Sequence, residues 1–377
     1  MNKMKSNYKP LFEKISLPGG SELKNRVVMA PMTNFSSHDD GTVSDSELAY
    51  YTRRAGGVGL VVTACVYVSP NGKGFQGEFG AHSDEMIPSL SRLAASIKEK
   101  GAKAVLQIFH GGRECPVSLV PGGDVVSASA VASEQNPNVV PRALLDDEIE
   151  SIIRDFGQAT RRAIEAGFDG VEIHGANGYI VQQFFSAHSN TRDDSWGGDV
   201  ESRLRFPLAI VDEVKRVAAA HAKQPFIVGY RFSPEEATTP GITMEDTFRL
   251  VDELATKDLD YLHVSLMEYW SLPRRGAAES KTRLEWIQER VGHLVPVIGV
   301  GSIHTPADAI KALSTGIPLV AIGRELIVEP DWVEKVAEGR EDEIKTTLSK
   351  ADQDRLVVPT PLWQAIVHTP GWFPLGD

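Results

Sequence analysis

Residues 146–179 read DDEIESIIRDFGQATRRAIEAGFDGVEIHGANGY. The first part, Asp146–Ala166, spaces its apolar residues along one face of a helix. The run Gly170–His174 that follows is short and apolar enough to be a strand buried on both faces of a sheet. Strand after helix, repeated, implies parallel pairing with right-handed crossovers. The same alternation runs through the chain. Candidate strands lie at Arg26–Ala30, Gly59–Thr63, Ala104–Phe109, Gly170–His174, Phe226–Tyr230, Tyr261–Val264, Val297–Val300 and Leu319–Ile322. Helix-like segments separate them at Asp45–Arg54, Asp84–Lys100, Asp146–Ala166, Ser202–Ala220, Met244–Lys257, Lys281–Val291 and Pro306–Leu313. Eight such units close an α/β fold into a single (β/α)8 TIM barrel, and 377 residues accommodate it with insertions. A doubly wound open sheet is the rival. It wants a glycine-rich turn after an early strand, whereas Gly56-Gly57-Val58-Gly59 precedes one.

No linker or shift of composition divides the chain, so residues 1–377 are expected to form one domain. Three long connections, His110–Asp146, Gly175–Val200 and Ser265–Ser280, follow strands and belong to the C-terminal face, where barrel active sites form. A tail from about residue 349 to 377 carries Trp363, Trp372 and Phe373, and is expected to cap the barrel or serve an oligomer contact. The net charge of −12, without a long Lys/Arg run, argues against a nucleic-acid partner. No apolar run reaches the ~20 residues of a membrane span. The start of the chain lacks the apolar core of a signal peptide. Cys65 and Cys115 stand far apart and form no C-x-x-C, which suits free thiols in a reducing cytoplasm, with a single disulfide as the alternative.

Residues at strand C-terminal ends are the candidates for chemistry. Gly301 and Ser302 follow the seventh strand and Gly323 and Arg324 the eighth, which are the turns that bind phosphate in this architecture. Their other reading is tight turns, with Arg324 paired to Glu325. His174 and Asn177 can both donate N–H bonds to one oxygen, the logic of an oxyanion site. Tyr179, two residues on, is a weak acid able to protonate a carbon that gains electrons. A core histidine, a turn asparagine and a packing tyrosine make the alternative. Arg231 ends the fifth strand, where it stabilises an anionic ring or forms a salt bridge to Glu172 or a neighbour. Gln107 meets the edge of a heterocycle or cross-bonds in the core. A metal site from His110, His174 and His188 has no carboxylate cluster to support it, and no G-x-S-x-G elbow supports a Ser/His/Asp site.

These residues resemble those of the Old Yellow Enzyme family of FMN-dependent NAD(P)H oxidoreductases. The likeness runs from Leu23–Thr33 to Ile322–Leu326. Its most specific part is His174-Gly-Ala-Asn177-Gly-Tyr179, then Phe185-Ser186, Ser189–Gly198 and Glu201-Ser202-Arg203, with Gln107-Ile-Phe-His110-Gly-Gly-Arg113 as a second signature. The resemblance implies FMN across the barrel mouth and NAD(P)H as electron donor. Ala30, Pro31, Met32 and Thr33 would back the flavin ring, Cys65 and His174 would lie beside it, and Gln107 would bind its pyrimidine edge. Arg231 would stabilise the reduced anion, and Gly301, Ser302, Gly323 and Arg324 would hold the phosphate. His174 and Asn177 would grip the carbonyl of an α,β-unsaturated substrate, Tyr179 would protonate Cα, and Phe35 would touch the substrate. Asp199 and Ser202 replace a more usual Ser and Asn, a change expected to affect capping. No Arg follows Arg355, so an arginine lent to a neighbouring subunit is not carried over. A nitro compound or quinone as acceptor, and a flavin-binding sensor, are the rival functions.

Overall fold

A computed structural model describes residues 3–376; residues 1, 2 and 377 of the expected domain lie outside the described residues. Eight parallel strands close a barrel: β1 (Val27–Met29), β2 (Leu60–Tyr67), β3 (Lys103–Phe109), β4 (Gly170–Gly175), β5 (Ile227–Phe232), β6 (Tyr261–Val264), β7 (Val297–Val300) and β8 (Leu319–Ile322). Each pairs with its neighbours in sequence, and β8 closes onto β1 through Val320 opposite Val27. The helices that follow them in turn are α1 (Asp45–Arg54), α2 (Ile87–Lys98), α3 (Asp146–Ala166), α4 (Val200–His221), α5 (Met244–Leu254), α6 (Arg283–Val291), α7 (Pro306–Leu313) and α8 (Arg324–Val328). The strands are buried nearly throughout, which explains why they read as continuous apolar runs without alternation.

Local chemistry fixes where helices begin. Ser44 with Glu47, Thr243 with Asp246, Thr282 with Glu285 and Thr305 with Asp308 form reciprocal capping boxes that satisfy the otherwise orphaned N–H groups of α1, α5, α6 and α7. Asp199 caps α4 by accepting the Ser202 N–H at 2.8 Å. The family-like stretch 189–198 acts as a lock beneath the β4 loop. Asn190 Nδ2 donates to the carbonyls of Phe184 and Trp196, and Arg192 Nη1 to those of Ala128 and Leu144. Those bonds hold the long β3 connection, which contains a small two-stranded ladder of Val126–Ser127 with Arg142–Ala143. The tail folds back on its own barrel. Trp363 and Phe373 are buried, Leu348 bridges Leu375, and Arg54 donates to the Leu356 carbonyl at 2.6 Å.

Candidate active site

Strand register builds the floor of the site. Cys65, Gln107, Glu172 and Gly229 stand opposite one another in succession, and Gly229 faces Tyr261. His174, Arg231 and His263 form the next layer up. Cys65 reaches the floor layer opposite Gln107 because the register of β2 slips between Val62 and Cys65, an irregularity of the kind that re-aims side chains at barrel rims. Glycine at 229 is obligatory: a Cβ there would meet the Tyr261 ring at 2.2 Å. The ring crosses that gap, and its hydroxyl donates to Glu172 at 2.8 Å. Gln107 Nε2 donates to the other carboxylate oxygen at 2.8 Å, and His263 Nδ1 lies 2.9 Å from Glu172 Oε2. Burial opposes ionisation of Glu172, but the His263 and Arg231 surroundings and these hydrogen bonds outweigh it and hold its carboxyl below the usual range. Burial pulls His263 down, against the attraction of the Glu172 carboxylate beside it.

Arg231 supplies the balancing charge without touching it. The guanidinium is buried, makes no ion pair or hydrogen bond among the described residues, and leaves Nε unpartnered. The alternative salt bridge to Glu172 is therefore not formed. Gln107 does cross-bond in the core through its amide N–H, as the second reading of that residue had it.

Above the floor a recess of about 60 Å³ opens into a cleft of about 720 Å³. The recess is lined by Pro31, Met32, Thr33, Cys65, Gln107, His174, Asn177, Tyr179 and Arg231, each singled out from the sequence. His174 Nδ1 accepts the Ala176 N–H at 3.2 Å, so the neutral ring carries its proton on Nε2. Burial, with Arg231 next, lowers its pKa to about 3. Asn177 adopts φ 58°, a left-handed conformation that asparagine tolerates. Its Oδ1 accepts from Ser265 at 2.8 Å and Ser233 at 3.4 Å, which orients Nδ2 as the free donor. Tyr179 packs edge-on against Phe109 and His174, with centroids 4.5 and 5.0 Å away. Burial, with Cys65 next, raises its phenol above the usual range, so it stays protonated. Burial and neighbouring Glu78 likewise keep Cys65 a thiol.

The candidate phosphate turns lie at the margin of the cleft. Gly301 has φ 139°, and a Cβ there would strike the Tyr269 backbone at 2.4 Å. Arg324 Nη2 donates to Ser302 Oγ at 3.3 Å, while Nη1 holds the Trp372 carbonyl at 2.9 Å. Ser302 Oγ also lies 2.7 Å from Glu268. Arg324 does not pair with Glu325, which faces His304 at 3.2 Å instead. A Cβ at Gly323 would lie 3.6 Å from that of Ala30, so the ends of β8 and β1 adjoin. Phe35 lines the cleft and stacks edge-on with Phe75. The sequence reading missed Phe75, Glu78, Ser233, Glu235, Ser265, Glu268, Arg274 and Trp372. Most stand in irregular loops without periodicity; Trp372 belongs to the tail, read there as a cap or oligomer contact, yet it lines the cleft.

The model of the NADH:flavin oxidoreductase / NADH oxidase family matches residues 10–343. The chain belongs to this family. Among its relatives, a probable NADH-dependent flavin oxidoreductase of Bacillus subtilis, YqiG, is 54% identical over 99% of this chain and all of that one. The NADH:fumarate oxidoreductase of Klebsiella pneumoniae is 42% identical over 94% of the chain, which spans 38% of that longer protein. The old yellow enzyme of Trypanosoma cruzi superposes with a TM-score of 0.76 at 27% identity, covering 89% of this chain and 93% of that one. The protein is thus a TIM-barrel flavin oxidoreductase of the Old Yellow Enzyme type, using FMN and a reduced nicotinamide. The site fits FMN: the unpartnered buried Arg231 offers a cation to an anionic ring, and Ser302 and Arg324 meet at a glycine-opened turn. No helix among the described residues is long and apolar enough to cross a membrane.

Proposed function

We propose that the protein reduces the activated C=C bond of α,β-unsaturated carbonyl compounds with electrons from NAD(P)H. The observation that carries this reading is the convergence of two oriented N–H donors and one protonated phenol on a single recess. FMN, when bound, supplies the hydride that the alkene receives at Cβ. His174 Nε2–H and Asn177 Nδ2–H grip the carbonyl oxygen and stabilise the charge it gains. Tyr179 delivers its phenolic proton to Cα. Pro31, Met32, Thr33, Cys65, Gln107 and Arg231 hold the flavin ring, with Ala30 behind them; Gly301, Ser302, Gly323 and Arg324 hold its phosphate. Phe35 and Phe75 wall the acceptor on its apolar side. The reading takes the chain as one FMN-binding domain working in the cytoplasm.

The likeness to a fumarate-reducing protein favours a second acceptor class, unsaturated carboxylates, for which the same donors would face a carboxylate oxygen. The test is anaerobic reduction of the purified yellow protein by NADH and by NADPH, followed by cyclohexenone, acrylate and fumarate. Bleaching by a nicotinamide and stoichiometric recovery of colour with the enone is the expected result. Protein that retains no FMN, or flavin that every alkene leaves reduced, overturns the reading.

A further inference from the structure

Two adjacent arginines in the loop after β6 are used in opposite ways. Arg275 spends its guanidinium on Thr239 Oγ1 and on the carbonyls of Glu236 and Thr238, at 2.7–2.9 Å. Arg274 spends none: its guanidinium is exposed, lines the 720 Å³ cleft, and has no acceptor or ion-pair partner among the described residues. Its backbone is nonetheless fixed. The N–H groups of Arg274 and Arg275 both donate to the buried carboxylate of Glu235, at 2.9–3.0 Å. Glu235 is neutralised in turn by Arg283 at 2.7 Å. The loop is thus pinned by a carboxylate already paired with a cation, and the Arg274 charge remains available. The adjoining wall carries Met267, 72% exposed, beside Leu266. In a protein of net charge −12, Arg274 is thus a cation without a partner among the described residues, carried on a fixed backbone, in a mouth that also presents the apolar side chains of Leu266 and Met267.

We propose that Arg274 is the anion anchor of the active-site mouth. It binds a negatively charged group carried away from the reacting atoms of a ligand whose uncharged part lies on the Leu266–Met267 wall. That group is a phosphate of the reduced nicotinamide dinucleotide or the remote carboxylate of an unsaturated acid. The planar guanidinium suits both, because each offers two oxygens to its fork. The proposal rests on the oxidoreductase reading above.

Arg274→Gln and Arg274→Lys, as FMN-loaded full-length proteins, test it. Calorimetry with tetrahydroNAD, which donates no hydride, measures dinucleotide binding without turnover. Half-reactions with uncharged 1-benzyl-1,4-dihydronicotinamide, with neutral cyclohexenone and with fumarate separate charge from chemistry. In the Gln variant, dinucleotide affinity or the fumarate half-saturation is expected to worsen about tenfold, with substantial recovery in the Lys variant. The wild-type interaction should also weaken with salt more steeply than the variant's. A loss confined to tetrahydroNAD assigns the phosphate; one confined to fumarate assigns the carboxylate. Unchanged affinity for both anions, or equal losses with charged and uncharged ligands, overturns the proposal. If wild-type flavin is reduced by no nicotinamide and reoxidised by no alkene, the parent reading fails, while salt-dependent, Arg274-dependent tetrahydroNAD binding still decides this one.

Discussion

His174 illustrates how burial sets the state of a single side chain. Its ordinary pKa of 6.5 would have it half charged near neutrality, but burial and Arg231 bring it to about 3. Between pH 5 and 8 it is therefore a neutral donor through Nε2, and it gains a proton only far into acid. The rate of flavin reoxidation by an enone should show no His174 inflection near pH 6.5. A break there that disappears in His174→Asn would contradict the assignment. Tyr179 shifts the opposite way: its raised phenol stays protonated on the alkaline side of neutrality. The identity of this pair was legible because both residues stand at or just beyond the end of a short apolar strand, Gly170–His174. Their protonation states were not, because those depend on Phe109, Arg231 and Ala176, brought near only by folding.

At the scale of elements, Glu172 ties β3, β4 and β6 together. Gln107, Tyr261 and His263 all converge on its carboxylate, and replacing it with an apolar group would strand several buried polar groups. Glu172→Leu should cost about 3 kcal/mol, read as a lower urea midpoint at unchanged slope, with Glu172→Gln losing less. A loss below about 1 kcal/mol would mean the network contributes little. Most elements were readable: Asp45–Arg54, Asp146–Ala166 and Pro306–Leu313 coincide with α1, α3 and α7. Several boundaries were not, and two show why. The second strand continues from Thr63 to Tyr67 because a register slip lets it keep pairing with β3. The expected helix over Met244–Lys257 ends at Leu254, where the Thr256 and Lys257 N–H groups turn back onto Glu253 and Leu254.

Across the whole molecule, closure of the barrel assembles a site from strands far apart in the chain. All nine residues lining the recess were identifiable, because each lies on or just beyond a strand end. Much of the outer cleft beyond Phe35 was not: Phe75, Glu235, Arg274 and Trp372 arrive on loops and a tail whose course is set by bonds such as Arg324 to the Trp372 carbonyl. The recess carries the central claim, that Tyr179 is the proton donor to the alkene. Tyr179→Phe separates it from every step that needs only bound flavin. Anaerobic rapid mixing of this variant should leave flavin reduction by NAD(P)H within about threefold of wild type, while reoxidation by cyclohexenone falls about 10²–10⁴-fold. Reoxidation by the enone at the wild-type rate would contradict the account.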